Sequence, residues 1–177
     1  MYQSNSEYRS GFGSSEDEGR SRLFDQVTSR PHLYRAWRKV RANRGAAGID
    51  AVTIRRFEKE LELNLAELSR NLRNRTYEPA PSRQVQIPKS DGRMRELAIP
   101  SVRDRVAQRA VLDAIESEFE RQFLDCSYAF RAGRSTEMAI QQIVVARANG
   151  YRWTVEGDIA NFFPSIDHRL AARLWGR

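Results

Sequence analysis

The stretch TYEPAPSRQVQIPKSDGRMRELAIPS, residues 76–101, decides how this chain folds. Pro79, Pro81, Pro88 and Pro100 exclude helix through most of it, because proline has no backbone N–H and its ring blocks the helical turn. RQVQIP and RMRELAIP flank KSDG, and an Asp-Gly pair between two such runs is a strong turn signal. The spacing predicts an antiparallel hairpin. Val85 and Ile87 alternate with Gln84 and Gln86, which makes one face apolar and the other polar.

Helices flank this hairpin on both sides. Pro31 suits the first turn of a helix through HLYRAWRKVRANR, with Leu33, Trp37 and Val40 on one face. NRGAAGID (43–50) ends that helix, and its two glycines mark a backbone that turns sharply or passes close to something. Thr53 is an N-cap for one long helix whose stripe is Phe57, Leu61, Leu65, Leu68 and Leu72. After the hairpin, Ser101 caps a helix with Asp104 at the capping-box position, and Val102, Val106, Ala110, Ile115, Phe119 and Phe123 form its buried side. Ser135 caps TEMAIQQIVVARAN, Gly150 closes it, and YRWTVEGD reads as a strand rich in aromatic and β-branched residues. The expected fold is α/β of the mixed, α+β kind.

Charge is unevenly placed. Residues 1–20 carry two Arg and four acids, lack an apolar core and read as a disordered acidic tail. Residues 70–109 carry ten Lys and Arg against four acids, and residues 110–177 eight Arg against nine. The whole chain has a net charge of +7, which favours a polyanionic partner, nucleic acid first. The single cysteine, Cys126, rules out an intramolecular disulfide, and no apolar run approaches the about 20 residues that span a bilayer. The start of the chain has no apolar signal segment, so a cytoplasmic location without membrane contact is expected.

VEGDIANFFPSIDH (155–168) carries the chemistry. Asp158 stands where an apolar run ends, a place from which a carboxylate reaches a cleft and can hold Mg²⁺. Phe163, five residues on, can floor an incoming sugar and clash with a 2′-hydroxyl. The same residues also suit a turn-capping Asp with Phe162 and Phe163 as core, and Asp167 suits the cap of the next helix.

Four segments in order, NRGAAGID, QVQIPKSDGRMRELAIPSVRDRVAQRAV, CSYAFRAGRST and DIANFFPSIDH, resemble the bacterial reverse transcriptases of group II introns, retrons and CRISPR-associated systems, over about residues 33–175. The resemblance implies an RNA-directed DNA polymerase working by two-metal phosphoryl transfer with Mg²⁺, on an RNA template, a DNA primer and dNTPs, with a possible RNA partner encoded nearby. It implies an incomplete right-hand polymerase: residues 21–134 as N-terminal helices and fingers, residues 135–177 as the start of a palm sheet.

Residue by residue, it places Asp158 as the first catalytic aspartate and metal ligand, with the carbonyl of Ile159 beside it. Phe163 becomes the sugar gate, Lys89 and Arg95 the triphosphate clamps, and Arg83, Arg131 and Arg134 nucleic-acid contacts. Packing and capping around Ser135 are the alternative for Arg131 and Arg134. Glu96, Ala98, Ala129 and Ala132 stand where intron-type enzymes often carry Pro or Gly, and Pro164 is closer to retrons. No Asp-Asp pair, the family's second acidic motif, occurs in these 177 residues. The chain is therefore expected to be the N-terminal part of such an enzyme and inactive alone, with a non-catalytic RNA-binding module as the rival reading.

Overall fold

The computed structural model describes residues 22–88, 92–160 and 162–175; the acidic tail expected over residues 1–20 lies outside them. The chain divides into two compact units, one ending at Phe123 and the other beginning at Leu124.

In the first unit, α1 (residues 22–28) and α2 (Arg30–Ala42) precede α3 (Ile54–Lys59) and α4 (Leu61–Arg73). The hairpin β1 (Arg83–Pro88) and β2 (Met94–Ile99) follows, and α5 (Val102–Glu120) closes the unit. Pro31 lies in the first turn of α2, and the predicted stripe of Leu33, Trp37 and Val40 is buried together with Ala36. These side chains meet Leu65 and Leu68 of α4 and Val102, Val106, Ala107 and Ala110 of α5 in one apolar core. The Trp37 and Phe57 rings sit 5.0 Å apart, tilted by 31°. Burial of each large side chain contributes about 1.5–3 kcal/mol, so this three-helix contact supports everything attached to it.

Two expectations change in this unit. Thr53 does cap α3, its hydroxyl accepting from Arg56 N at 3.2 Å. The single long helix, however, breaks at Glu60, whose φ of −119° and ψ of 33° are not helical. The carbonyl of Phe57 is satisfied across the break by the Asn64 side-chain amide at 3.0 Å. On α5, the apolar stripe is buried only as far as Ala110; Phe119 is exposed because the helix runs on past the core it packs against, and Phe123, expected on the same stripe, lies beyond the helix end at Glu120 and is exposed too.

Polar contacts join α2 to α5. His32 Nε2 donates to the carbonyl of Ala110 at 2.9 Å, and its Nδ1 accepts from Arg35 at 3.0 Å, a pairing that places the ring hydrogen on Nε2. Asp113 receives Lys39 Nζ at 2.9 Å and Arg109 Nη2 at 2.6 Å. Burial alone would raise the Asp113 pKa, but the hydrogen bonds and charges of Lys39 and Arg109 outweigh it and hold the carboxyl below its ordinary range.

The second unit contains α6 (Thr136–Ala148), α7 (Phe162–Ser165) and α8 (His168–Trp175). Ser135 caps α6 by accepting from Met138 N at 3.3 Å, and Gly150, with φ of +95°, follows its C-terminus as expected. Asp167 caps α8, accepting from Arg169 N at 2.8 Å and Leu170 N at 3.1 Å. The strand expected at YRWTVEGD does not form: residues 151–159 carry no helix or strand, and the sheet of the described residues holds only β1 and β2. Aromatic and β-branched composition favours a pleated strand only where a neighbour supplies the ladder, and no described segment pairs with this one. Among the described residues, no helix is long and apolar enough to cross a membrane.

Two outcomes follow. Leu33→Ala, at a side chain with no exposure, lowers unfolding free energy by about 2–5 kcal/mol, read by chemical denaturation. Because the Asp113 pKa is depressed in the folded chain, its stabilisation is complete above about pH 4 and is lost as the pH falls below that. The wild-type denaturation midpoint therefore drops more steeply on acidification below pH 4 than that of Asp113→Asn.

Candidate nucleic-acid interface

The hairpin register places three cross-strand pairs on one face: Arg83 with Ile99, Val85 with Leu97, and Ile87 with Arg95. Gln84 with Ala98, Gln86 with Glu96, and Pro88 with Met94 occupy the other. One face is therefore an apolar strip with a cation toward each end, Arg83 and Arg95 lying about 14 Å apart along the strands at 3.4 Å per residue. The strip is open: Ile87, Leu97 and Arg95 are exposed. The Arg95 side chain has no hydrogen-bond or ion-pair partner among the described residues, and Lys89 lies outside them.

The base of the hairpin is tightly made. Arg83 Nε donates to the carbonyl of Ala47 at 3.1 Å, so this cation also holds the 43–50 loop, leaving its other donors without a partner among the described residues. Arg105 Nη2 donates to the carbonyl of Ala46 at 2.7 Å, and burial lowers its pKa while the charge of Asp50 opposes the shift. Gly48 passes so close to the start of α5 that an added Cβ would stand 2.6 Å from Ser101 Cα and 2.7 Å from Ser101 N. The expectation that a glycine here marks a close approach is met at this residue. At Gly45 a Cβ would meet the Arg105 guanidinium, the group that bonds to the Ala46 carbonyl, rather than backbone.

Asp104 has a larger part than its sequence position suggests. Its backbone N–H completes the Ser101 cap at 3.1 Å. Its side chain is 2% exposed and turns away from the cap, accepting from the Tyr77 hydroxyl at 2.6 Å and from Ala80 N at 3.1 Å. Burial first, then the hydrogen bond and charge of Asp104, push the Tyr77 hydroxyl pKa well up, so it remains a donor. Arg103 donates to the carbonyl of Glu78 at 2.8 Å and stacks over the Tyr77 ring at 5.4 Å. Sequence reading named Asp104 as a capping residue and missed Tyr77 altogether; a contact spanning 27 residues leaves no local pattern.

In the second unit, Arg131 Nη1 donates to the carbonyls of Leu124 and Ser127 at 2.7 and 2.8 Å. Arg134 pairs with the Asp125 carboxylate at 3.1 Å and lies 5.7 Å from the Tyr128 ring centre. Both arginines thus order the loop before α6. Asp158 and Ile159 are exposed on the segment without regular structure, and Phe163 is 76% exposed, meeting Phe162 edge-on at 5.2 Å. The Asp158 carboxylate and the adjacent Ile159 carbonyl are hard oxygen donors of the kind Mg²⁺ takes. Among the described residues, no three His, Cys, Asp or Glu side chains come together as a ligand cluster.

The family described as reverse transcriptase (RNA-dependent DNA polymerase) matches residues 87–175. The chain is 37% identical over 155 residues to Protein YkfC of Escherichia coli K12, covering 84% of this chain and 41% of that protein. It is 36% identical over 155 residues to the group II intron-encoded protein LtrA of Lactococcus lactis subsp. cremoris, covering 86% of this chain and 25% of that protein. An uncharacterised 91 kDa protein in the cob intron of Schizosaccharomyces pombe is 29% identical over 146 residues. The chain therefore spans less than half the length of these relatives.

The base of the hairpin gives a paired outcome. Gly48→Ala forces backbone atoms apart and destabilises the chain by about 1–3 kcal/mol, whereas Gly45→Ala displaces the Arg105 guanidinium and costs its bond to the Ala46 carbonyl, a smaller loss of about 0.5–1.5 kcal/mol. Thermal melting of the two variants side by side checks this.

Proposed function

The chain belongs to the reverse transcriptase (RNA-dependent DNA polymerase) family, and we propose from that premise that it is the fingers and first palm motif of an enzyme that copies RNA into DNA. The observation that carries this reading is the open hairpin face with its unpartnered Arg95, a residue that lies within the matched region. A guanidinium fixed on a strand and free of internal partners suits a phosphate.

In this reading Arg95 and Lys89 neutralise the triphosphate of an incoming dNTP, and with no dNTP present Arg95 takes a backbone phosphate of a single-stranded RNA instead; Arg83 meets the template beside the loop it holds. Asp158 and the carbonyl of Ile159 hold a divalent ion, which we take to be Mg²⁺. When bound there, that ion would assist the primer 3′-hydroxyl and screen the phosphates. Phe163 floors the sugar and rejects a 2′-hydroxyl by contact. Arg131 and Arg134 stiffen the loop ahead of α6 and add positive potential for an RNA template and DNA primer.

RNA binding by this chain tests the reading. Affinity for a single-stranded RNA falls steeply with salt, and Arg95→Ala reduces the log–log salt slope by about 0.7, the share of one phosphate contact on a single strand. A slope equal to the wild type's removes Arg95 from the interface. In primer extension the 177-residue chain alone gives no product, because it holds no Asp-Asp pair to join Asp158. Processive synthesis by the chain would contradict that division, and RNA binding without extension by any longer form carrying Asp158 would favour the non-catalytic module.

A further inference from the structure

A two-stranded ribbon has little stability of its own and takes its direction from whatever holds its ends. Here every residue of β1 is exposed except Val85, which is half-buried, and every residue of β2 except Ile99. Within its unit the hairpin therefore has no packed face to set its angle, and the setting falls to its two feet. The incoming foot is the segment ahead of β1, containing Tyr77 and Ala80. The outgoing foot runs from Ile99 through Pro100 to Ser101 and α5.

We infer that Asp104 is a positioning residue that fixes the pose of the hairpin cations by binding both feet. Its backbone N–H is held by Ser101, at the outgoing foot, and its two carboxylate oxygens take the Tyr77 hydroxyl and the Ala80 N–H, at the incoming foot. The Tyr77 hydroxyl and the Ala80 N–H are two donors that need two acceptors, and the two oxygens of an acid in the first turn of α5 supply them. Arg103 reinforces the same joint through the Glu78 carbonyl. Arg83 and Arg105 then fasten the 43–50 loop to it through the carbonyls of Ala47 and Ala46. Loop, feet and α5 form one block anchored in the apolar core through Val102 and Val106, and Arg95 is carried at the far end of a lever from that block. The inference rests on the RNA-directed reading of the hairpin for its functional part and on geometry alone for its mechanical part.

The test uses this chain in four forms: wild type, Tyr77→Phe, Asp104→Asn and Arg95→Ala. Tyr77→Phe keeps the ring and removes one bond to Asp104. Asp104→Asn removes the charge but keeps both contacts, its Oδ1 accepting from Ala80 N and its amide donating to a turned Tyr77 hydroxyl. Amide hydrogen exchange is followed across residues 83–99 and across α2 and α5, and RNA affinity is measured below the melting transition of every form. Tyr77→Phe should speed exchange in the hairpin about fivefold, the effect of one ordinary hydrogen bond, with α2 and α5 unchanged. It should weaken RNA binding by a similar factor, while Asp104→Asn stays near wild type in both. Arg95→Ala should weaken RNA binding and leave exchange alone. Uniformly faster exchange in the hairpin, α2 and α5 on Tyr77→Phe, or no change in the hairpin, overturns the inference. Failure of the wild type itself to bind RNA overturns the functional reading instead, and the exchange pattern still decides whether Asp104 sets the hairpin.

Discussion

A buried aspartate that ties together the two feet of an otherwise unsupported ribbon, its carboxylate bonded to one and its backbone N–H to the other, is the constraint from which the first unit takes its shape. Asp104 is desolvated, which would be costly were it not for the hydroxyl, the amide and the neighbouring Arg103 guanidinium that surround it. Remove those partners and a buried charge is left uncompensated; keep them and the 74–82 segment, the start of α5 and the glycine loop are tied together. The bare contact of Gly48 with Ser101 is the steric side of the same junction, and the Arg83 and Arg105 bonds to loop carbonyls are its polar side.

The apolar core gives that junction something to be fixed to. Trp37, Leu33, Leu65, Leu68, Val102 and Val106 form a dry three-helix contact, and the Lys39–Asp113–Arg109 cluster binds α2 to α5 on its rim. The second unit is held differently. It is organised by caps and by two arginines bonded to loop oxygens, while Ile140, Ile143, Val144 and Val145 of α6 remain exposed. Polar bonds of short sequence range can order a loop and start a helix; they do not substitute for a core.

Much of this was legible in the sequence because the signals are local. The Asp-Gly signal between two strand-like runs predicts the hairpin; residues 89–91 of that turn lie outside the described residues, and the strands on either side pair in a register that follows the alternation of Val85 and Ile87 with Gln84 and Gln86. Thr53, Ser101, Ser135 and Asp167 all cap the helices they were expected to cap. What could not be read depends on partners far along the chain. The break at Glu60 is tolerated because Asn64 satisfies Phe57, the Asp104 side chain abandons its capping box for Tyr77, and Arg83 is engaged by the loop at Ala47. Residues 151–158 have strand composition, yet a ladder needs a neighbour and composition does not supply one. For the site residues, sequence marked Asp158 and Phe163 by type and spacing, and both are exposed rather than absorbed into a core.

The account turns on the hairpin face being where a polynucleotide lies. Photocrosslinking of a thiouridine-substituted single-stranded RNA to the chain, followed by peptide mapping, tests that most directly. The account predicts that the label concentrates between Arg83 and Ile99. Label confined to the arginines of α2, with none on either strand, would contradict it.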